Sequence, residues 1–520
     1  MKHWLHDAVF YEIYPQTFFD SNGDGIGDIP GITAKLPYIA SLGCNALWLN
    51  PCFVSPFGDA GYDVADYCRV APRYGTNEDL AALFAAAHDR GMHVLLDLVP
   101  GHTSIEHPWF KESCRPEKNE YSGRYVWSNH PWESVTGVPG IAGELRGISQ
   151  RPGAVGTNFY SCQPALNYGF AQPEKPWQCA VDSPEALATR QAMKDVMAFW
   201  LDKGCDGFRV DMAGSLVKND PGQRETIKLW QDVRAFLDAR YPDAVMVSEW
   251  GEPDKSLAGG FHMDFLLQFG PSHYNDLFRC DHPYFGRDGK GDISEFVATY
   301  KKNYALTNGK GLICIPSGNH DSQRMRKYLD PEEMKLAFAF LFSMPGAPFL
   351  YYGDEIGMRQ LDIPSVEGGY ERTGARTPMQ WDAAAKNSGF SPAPAEWLYT
   401  PLDPAADAPT VESQQDDPDS LLNEVRKLIA VRRANPALGV DGSISFVWCE
   451  KGGEPLLYLR EAEGQRVLVA LNPSAKPASC PAPSPPGRFS TPTAKPPRLP
   501  TAFCRWQGRA QPLSRYKRRP

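Results

Sequence analysis

Short apolar runs recur along the chain with longer amphipathic stretches between them, the alternation expected of a parallel sheet covered by helices. Eight runs read as strands: AVFYEIY near Ala8, NALWLN from Asn45, HVLLDLV from His93, GFRVDM from Gly207, VMVSEW from Val245, HMDFLLQF from His262, GLICIPS from Gly311 and PFLYYG from Pro348. Most successive starts leave room for one strand, one helix and their loops, so the pattern predicts an α/β fold, a (β/α)8 barrel. One interval breaks the rhythm. The stretch between Asp97 and Asp211 is far longer than one such unit, and its excess, residues 101–168, is rich in Pro, Gly, Trp and Asn. It predicts a small domain inserted after the third strand, which leaves 1–100 and 169–438 for the barrel.

Beyond the eighth strand a Pro/Ala-rich connection from Pro392 to Pro418 leads into DSLLNEVRKLIAVRRANPAL, an amphipathic helix stopped by Asn-Pro. SISFVWCE, PLLYLRE and RVLVALN then predict three antiparallel strands of a carboxy-terminal β-domain over 439–480. From Gln465 onward there is no Asp or Glu, and residues 481–520 read as a Pro-rich basic tail or as the product of a shifted reading frame. The most apolar stretch, LAFAFLFSMPGAPFLYYG from Leu336, is broken by Ser343, Pro345 and Gly346. It reads as a buried helix followed by a buried strand, not as a membrane span.

Composition narrows the function. In 520 residues, 42% hydrophobic and 22% charged positions are those of an ordinary globular protein. A net charge of −9 supplies no positive field for nucleic acid or for an anionic membrane, so a neutral or cationic small ligand is expected. The start, MKHWLHDAVFYEIYP, carries no export signal, and twelve cysteines lie scattered without a CxxC pair. Both point to free thiols in the cytoplasm. Nothing in the sequence sets an oligomeric state.

A barrel enzyme places its reacting groups at the carboxyl ends of different strands. Here the third strand ends in DLVPGHTS with Asp97 and His102, and the fourth in GFRVDMAG with Arg209 and Asp211. The fifth ends in SEW with Glu249, and the seventh runs into SGNHD with His320 and Asp321. An isolated acid at a strand end is commonly a helix cap; these acids in this order and spacing are far more specific. Together they resemble the four signature regions of the α-amylase superfamily, glycoside hydrolase family 13, over roughly residues 5–440. The resemblance implies that Asp211 is the nucleophile, Glu249 the general acid/base and Asp321 the acid that holds the sugar hydroxyls.

Cleaving an α-glycosidic bond with retention needs one ionised carboxylate to attack the anomeric carbon and one protonated carboxyl to release the leaving oxygen, about 5 to 5.5 Å apart. Arg209, two residues before Asp211 on a strand, points to the same face and is expected to keep Asp211 ionised, while a less solvated Glu249 retains its proton. His102 and His320 resemble the family's transition-state hydrogen-bonding histidines. In GDAGYDVADY, Tyr62 and Asp63 match the positions that stack on and hydrogen-bond the terminal sugar. QPALNYG and GARTPMQW resemble segments of the oligo-1,6-glucosidase and α-glucosidase branch, and Arg372, just ahead of the second, is taken as a substrate-binding residue.

DSNGDGIGD offers oxygens from Asp20, Asn22, Asp24 and Asp28 with the carbonyl of Ile26 between them, a set suited to Ca²⁺. It resembles the calcium loop of oligo-1,6-glucosidases. Pro100 and Gly101 stand where many relatives carry the asparagine of a second calcium site, so none is expected there. The expected activity is hydrolysis of short α-glucosides from the non-reducing end through a covalent glucosyl-Asp211 intermediate, with a small oligosaccharide as the partner. A transglycosylase or isomerase of the trehalose-synthase or sucrose-active type is the alternative with the same site. A non-catalytic binding protein on the same fold is the remote one.

Overall fold

The computed structural model describes residues 3–367, 372–452, 455–474 and 501–506. All eight expected barrel strands are present: β1 (Phe10–Ile13), β2 (Ala46–Leu49), β3 (His93–Leu98), β4 (Gly207–Val210), β5 (Val245–Ser248), β6 (Met263–Phe265), β7 (Leu312–Cys314) and β8 (Phe349–Tyr351). Each pairs in parallel with its neighbours in the order β7-β6-β5-β4-β3-β2-β1-β8. A parallel bridge between Pro316 and Phe349 joins the two ends and closes the ring.

Side chains alternate across this sheet, and both faces are buried. Phe10, Ala46, Trp48, Leu95, Val245, Val247, Met263, Phe265, Leu312, Cys314 and Phe349 form one apolar cluster, the barrel interior. Their neighbours Tyr11, Ile13, Leu47, Leu49, Val94 and Leu96 belong to the other main cluster, under the helices. That double burial is why the strands read as unbroken apolar runs rather than as apolar-polar alternation. In the interior, Phe349 stacks on Phe10 at 4.2 Å and meets Phe265 edge-on at 4.7 Å.

The covering helices begin where local chemistry starts them. Thr76 and Asp79 form a capping box at the head of Asn77–His88, and Asp330 and Glu333 do the same for Pro331–Ser343. The latter helix, buried from Met334 to Ser343, and β8 after it confirm that the most apolar stretch is core. Among the described residues no helix is long and apolar enough to cross a membrane.

The segment after β3 forms a helix, Pro108–Ser113, and an antiparallel pair, Gly143–Arg146 with Ala154–Thr157, around a small core of Val126, Val135, Ile141 and Phe170. At the other end of the chain, the predicted amphipathic helix spans Leu421–Arg433. Beyond it lie β9 (Ser443–Trp448), β10 (Leu456–Ala462) and β11 (Gln465–Leu471), joined antiparallel. Within the expected tail, Thr501–Trp506 instead forms a fourth strand, β12, antiparallel to β11 with Leu471 opposite Thr501. TAFCRW is rich in strand-favouring residues, and β11 would otherwise present an unpaired edge. The remainder of the predicted tail, 481–500 and 507–520, lies outside the described residues.

Candidate active site

Hydrogen bonding at the carboxyl ends of β4 and β5 continues one step past each strand. The Asp211 amide donates to the Leu98 carbonyl at 2.8 Å, and the Glu249 amide to that of Val210 at 2.9 Å, so both acids leave the sheet in fixed positions. The turn after Asp211 is clasped to β5: the amide of Met212 donates to Glu249 Oε2 at 3.2 Å, and that of Ala213 to the Glu249 carbonyl at 3.1 Å. Met212 adopts φ 44°, a left-handed conformation that a non-glycine residue holds only where its surroundings enforce it.

Below the acids sits Arg209, only 1% exposed. Its guanidinium reaches Asp97 at 2.9 Å, Asp211 at 3.0 Å and Glu249 at 2.6 Å. One cation thus serves three carboxyl groups. Burial, and then the adjacent Glu249, push Asp211 well above the usual carboxylate range, against the opposing pull of Arg209. Asp97 is also raised by burial. Arg209 does pair with Asp211, as expected, but the same guanidinium also bridges to Glu249, so its pull on Asp211 is shared. Asp264 on β6 takes hydrogen bonds from Ser248 Oγ at 2.7 Å and from the Trp250 amide at 3.2 Å, steadying the chain on either side of Glu249.

The opposite wall is built differently. Asp321, beyond β7, receives Arg372 and Arg376, each at 2.8 Å, and His320 Nε2 at 3.1 Å. These cations, His320 first, hold it well below the usual carboxylate range although burial acts the other way. His320 Nδ1 contacts Glu12 Oε1 at 2.9 Å, and the facing carboxylates of Asp321 and Glu12 overcome the burial penalty to raise its pKa to about 9. Tyr62 lies parallel to the His320 ring at 5.3 Å, and its hydroxyl bonds to His320 Nε2 at 2.6 Å and to Asp97 at 3.0 Å. One continuous polar network therefore links the two walls.

Asp211, Glu249 and Asp321 line one cleft with Tyr62, His102 and Arg372, around a cavity of about 190 Å³. Residues 12–441 match the family of the alpha-amylase catalytic domain. The chain belongs to the alpha-amylase family. It is 34% identical over 510 residues to a trehalose synthase of Thermus thermophilus, covering 90% of this chain and 50% of that one, so it spans about half the length of that relative. An oligo-1,6-glucosidase of Parageobacillus thermoglucosidasius is 30% identical over 547 residues, with 91% of each chain covered. Among solved structures, an alpha-glucosyl transfer enzyme superposes with a TM-score of 0.77 at 30% identity, covering 97% of this chain and 99% of that one. The family comprises glycoside hydrolases and transglycosylases, and this chain is an enzyme of that kind.

Asp63, expected to face the sugar, is not among the residues that line the cleft. Asp63 is fully buried away from the cleft, where its carboxylate accepts from Ser55 Oγ and from the amides of Gly58 and Asp59 at 2.9 to 3.0 Å. It anchors the turn. Asp59, four residues earlier, lines the cleft, ion-paired with Arg372 and accepting from Gln163 Nε2 at 2.7 Å. The reversal is invisible in the spelling because only the turn decides which acid faces inward. His102 does line the cleft; Tyr62 O and Asn158 Nδ2 lie at 3.0 and 3.2 Å from its ring nitrogens, and burial lowers its pKa to about 4, so it is neutral.

Reading the sequence also passed over Phe159, Tyr160, Gln268 and Phe269, which complete the lining, and Arg376, the first residue of RTPMQW. Arg376 could have been found from the motif itself. The aromatic rim, where Phe159 is 49% and Phe269 38% exposed, follows from no local signal.

In the Asp20–Asp28 segment, Asp20 accepts from the amides of Asn22, Gly23 and Gly25 and from Ser391 Oγ. Asp28 caps the helix Ile29–Leu42, accepting from the Gly31 amide. Asp20 and Asp28 are buried, and among the described residues neither they nor Asp24 forms an ion pair with a basic side chain. Asn22 Oδ1 accepts from the Asp24 amide and Asp24 Oδ1 from that of Ile26, so the loop's oxygens, hard donors of the kind Ca²⁺ takes, are engaged by local amides, and no three of its carboxylates bring ligand atoms within 4.8 Å of one another.

Proposed function

We propose that the protein is a retaining enzyme that takes glucose from the non-reducing end of short α-glucosides. The observation that carries the reading is the convergence of Asp211, Glu249 and Asp321 on one cleft, the first two on a single guanidinium. Glu249 serves as the general acid: the Asp211 carboxylate attacks the anomeric carbon as Glu249 protonates the departing oxygen. A covalent glucosyl-Asp211 ester results, leaving Glu249 ionised. Glu249 then removes a proton from the incoming hydroxyl, which attacks the same carbon and frees Asp211. Asp321, kept ionised by its cations, binds sugar hydroxyls and stabilises positive charge developing at the ring. Asp59, Arg372 and the Tyr62 ring are placed to hold the same sugar.

Transfer to a second sugar, including isomerisation of a disaccharide, is the other reading. It is favoured by the apolar rim of Phe159, Tyr160 and Phe269, which would exclude water and stack on an acceptor, and by the names of the first relative and of the solved structure above. One experiment tests both: maltose, isomaltose, sucrose, trehalose and an aryl α-glucoside, with products followed by NMR. An initial α-anomeric product supports the retaining mechanism, and a β-anomeric one overturns it. New disaccharides at high substrate identify transfer, and glucose alone identifies hydrolysis.

In the same reading the Asp20–Asp28 loop holds a structural calcium ion through Asp20, Asn22, Asp24, Asp28 and the Ile26 carbonyl, remote from the chemistry. A chelator should then lower Tm, and calcium should restore it. The reading also places the enzyme in the cytoplasm, supported by ten described cysteines that are all unpaired.

A further inference from the structure

At the other end of the barrel, away from the acids, a second cluster of side chains with coordinating chemistry stands at the amino ends of two neighbouring strands. His88 is the last residue of the helix Asn77–His88, His93 is the first residue of β3, and Asp206 directly precedes β4. His88 Nε2 lies 2.9 Å from Asp206 Oδ2, and His93 Nδ1 lies 2.9 Å from Oδ1. The three candidate ligand atoms all fall within 4.8 Å of one another, and among the described residues this is the one group of three His, Cys, Asp or Glu side chains that does so.

We propose that His88, His93 and Asp206 form a zinc site at the base of the barrel. In a tetrahedral site with bonds of about 2.0 to 2.2 Å, ligand atoms stand about 3.3 Å apart; here one atom from each of the three residues lies within 4.8 Å of the others, and binding draws them to that separation. Two imidazoles and one carboxylate favour a borderline transition metal over calcium or magnesium, which take oxygen donors. The fourth position falls to water.

Supporting contacts around the ligands are already in place. The Val94 amide donates to Asp206 Oδ2 at 2.7 Å, the Asp206 amide donates back to the Val94 carbonyl at 2.9 Å, and the Trp4 ring stacks on His93 at 4.2 Å. Such partners orient ligands and sharpen affinity. The side chains of His88 and His93 are 40% and 26% exposed, so an ion can enter from solvent. On binding, each neutral imidazole turns a lone pair to the metal and carries its proton on the outer nitrogen, Nδ1 of His88 and Nε2 of His93. The ion ties a helix end to two strand starts, which makes its effect one of stability, as suits the base of a barrel.

Chelator-treated full-length protein, titrated with ZnCl2 by calorimetry in saturating CaCl2 so that the Asp20–Asp28 loop is unavailable to zinc, tests the site. One equivalent should bind, and Tm should rise with zinc concentration. His88→Gln and His93→Gln should each weaken that site by more than about 100-fold, beyond what loss of an outer-shell partner costs. Zinc-free turnover of whichever glucoside the unaltered enzyme accepts should not change in either variant, so the result stands apart from the proposed activity. Absence of a saturable equivalent, or equal binding in both variants, overturns the proposal. Should the variants fail to fold, crystals of the unaltered chain soaked in ZnCl2 decide it: an anomalous peak at the zinc edge between the three side chains supports the site, and its absence there refutes it.

Discussion

Asp211 and Asp321 face each other across one cleft, both buried from solvent on all but the cleft side, and the protein treats them in opposite ways. Asp211 shares one guanidinium with Asp97 and Glu249, and burial together with its acidic neighbour drives its pKa up. Asp321 gathers Arg372, Arg376 and His320, and its pKa is driven down. The ratio of cations to carboxylates within hydrogen-bonding reach, rather than depth of burial, decides in which direction each acid's pKa moves. The histidines repeat the lesson. His102 and His320 are both fully buried, but only His320 faces carboxylates, and their pKa values fall at about 4 and about 9.

The largest test of this contrast is Asp211→Asn, which should cut turnover of an aryl α-glucoside by about 10⁴- to 10⁶-fold, the range for losing a covalent nucleophile. Its Tm should hold or rise, because one of three acids competing for Arg209 is gone. Asp321→Asn should do the reverse to stability. It leaves Arg372, Arg376 and His320 converging without their shared anion, and urea unfolding should show a loss of about 3–5 kcal/mol. A stable Asp321→Asn beside an unstable Asp211→Asn would break the comparison outright.

The histidine pair sharpens it through pH. The folded protein holds the His320 proton more tightly than the unfolded chain does. That contribution, about 3 kcal/mol, is complete below pH 6.5 and disappears as pH rises through about 9. For His102 the unfolded chain binds the proton more tightly, so a contribution of similar size is complete above pH 6.5 and is lost as pH falls to about 4. Urea midpoints across this range should fall on both flanks, with His320→Gln flattening only the alkaline one and His102→Gln only the acid one. The smallest effect belongs to Tyr62→Phe. Removing the hydroxyl that bridges His320 and Asp97 should cost about 1 kcal/mol of stability, read from the same unfolding curves.

Much of this was legible before folding was considered. Each barrel strand is a compact apolar run bounded by turn residues, and Asp211, Glu249 and Asp321 are close followers of strands, so their convergence follows from barrel topology. Asp59 and Asp63 mark where legibility ends. Two acids in one turn have equal claims in the sequence, and the amides of residues 58 and 59, which engage Asp63, exist as partners only once the turn has formed. Thr501–Trp506 was equally hidden, because its partner strand lies across a long stretch of chain.

The sequence by itself determined the eight strands, the inserted segment and the acids at the strand ends, because these depend on local periodicity and on chain order. Only the tertiary structure decided how charge is divided among those acids. Desolvation and Coulomb interactions depend on which atoms arrive as neighbours, and the group that helps to keep His320 protonated, Glu12, comes from 308 residues away.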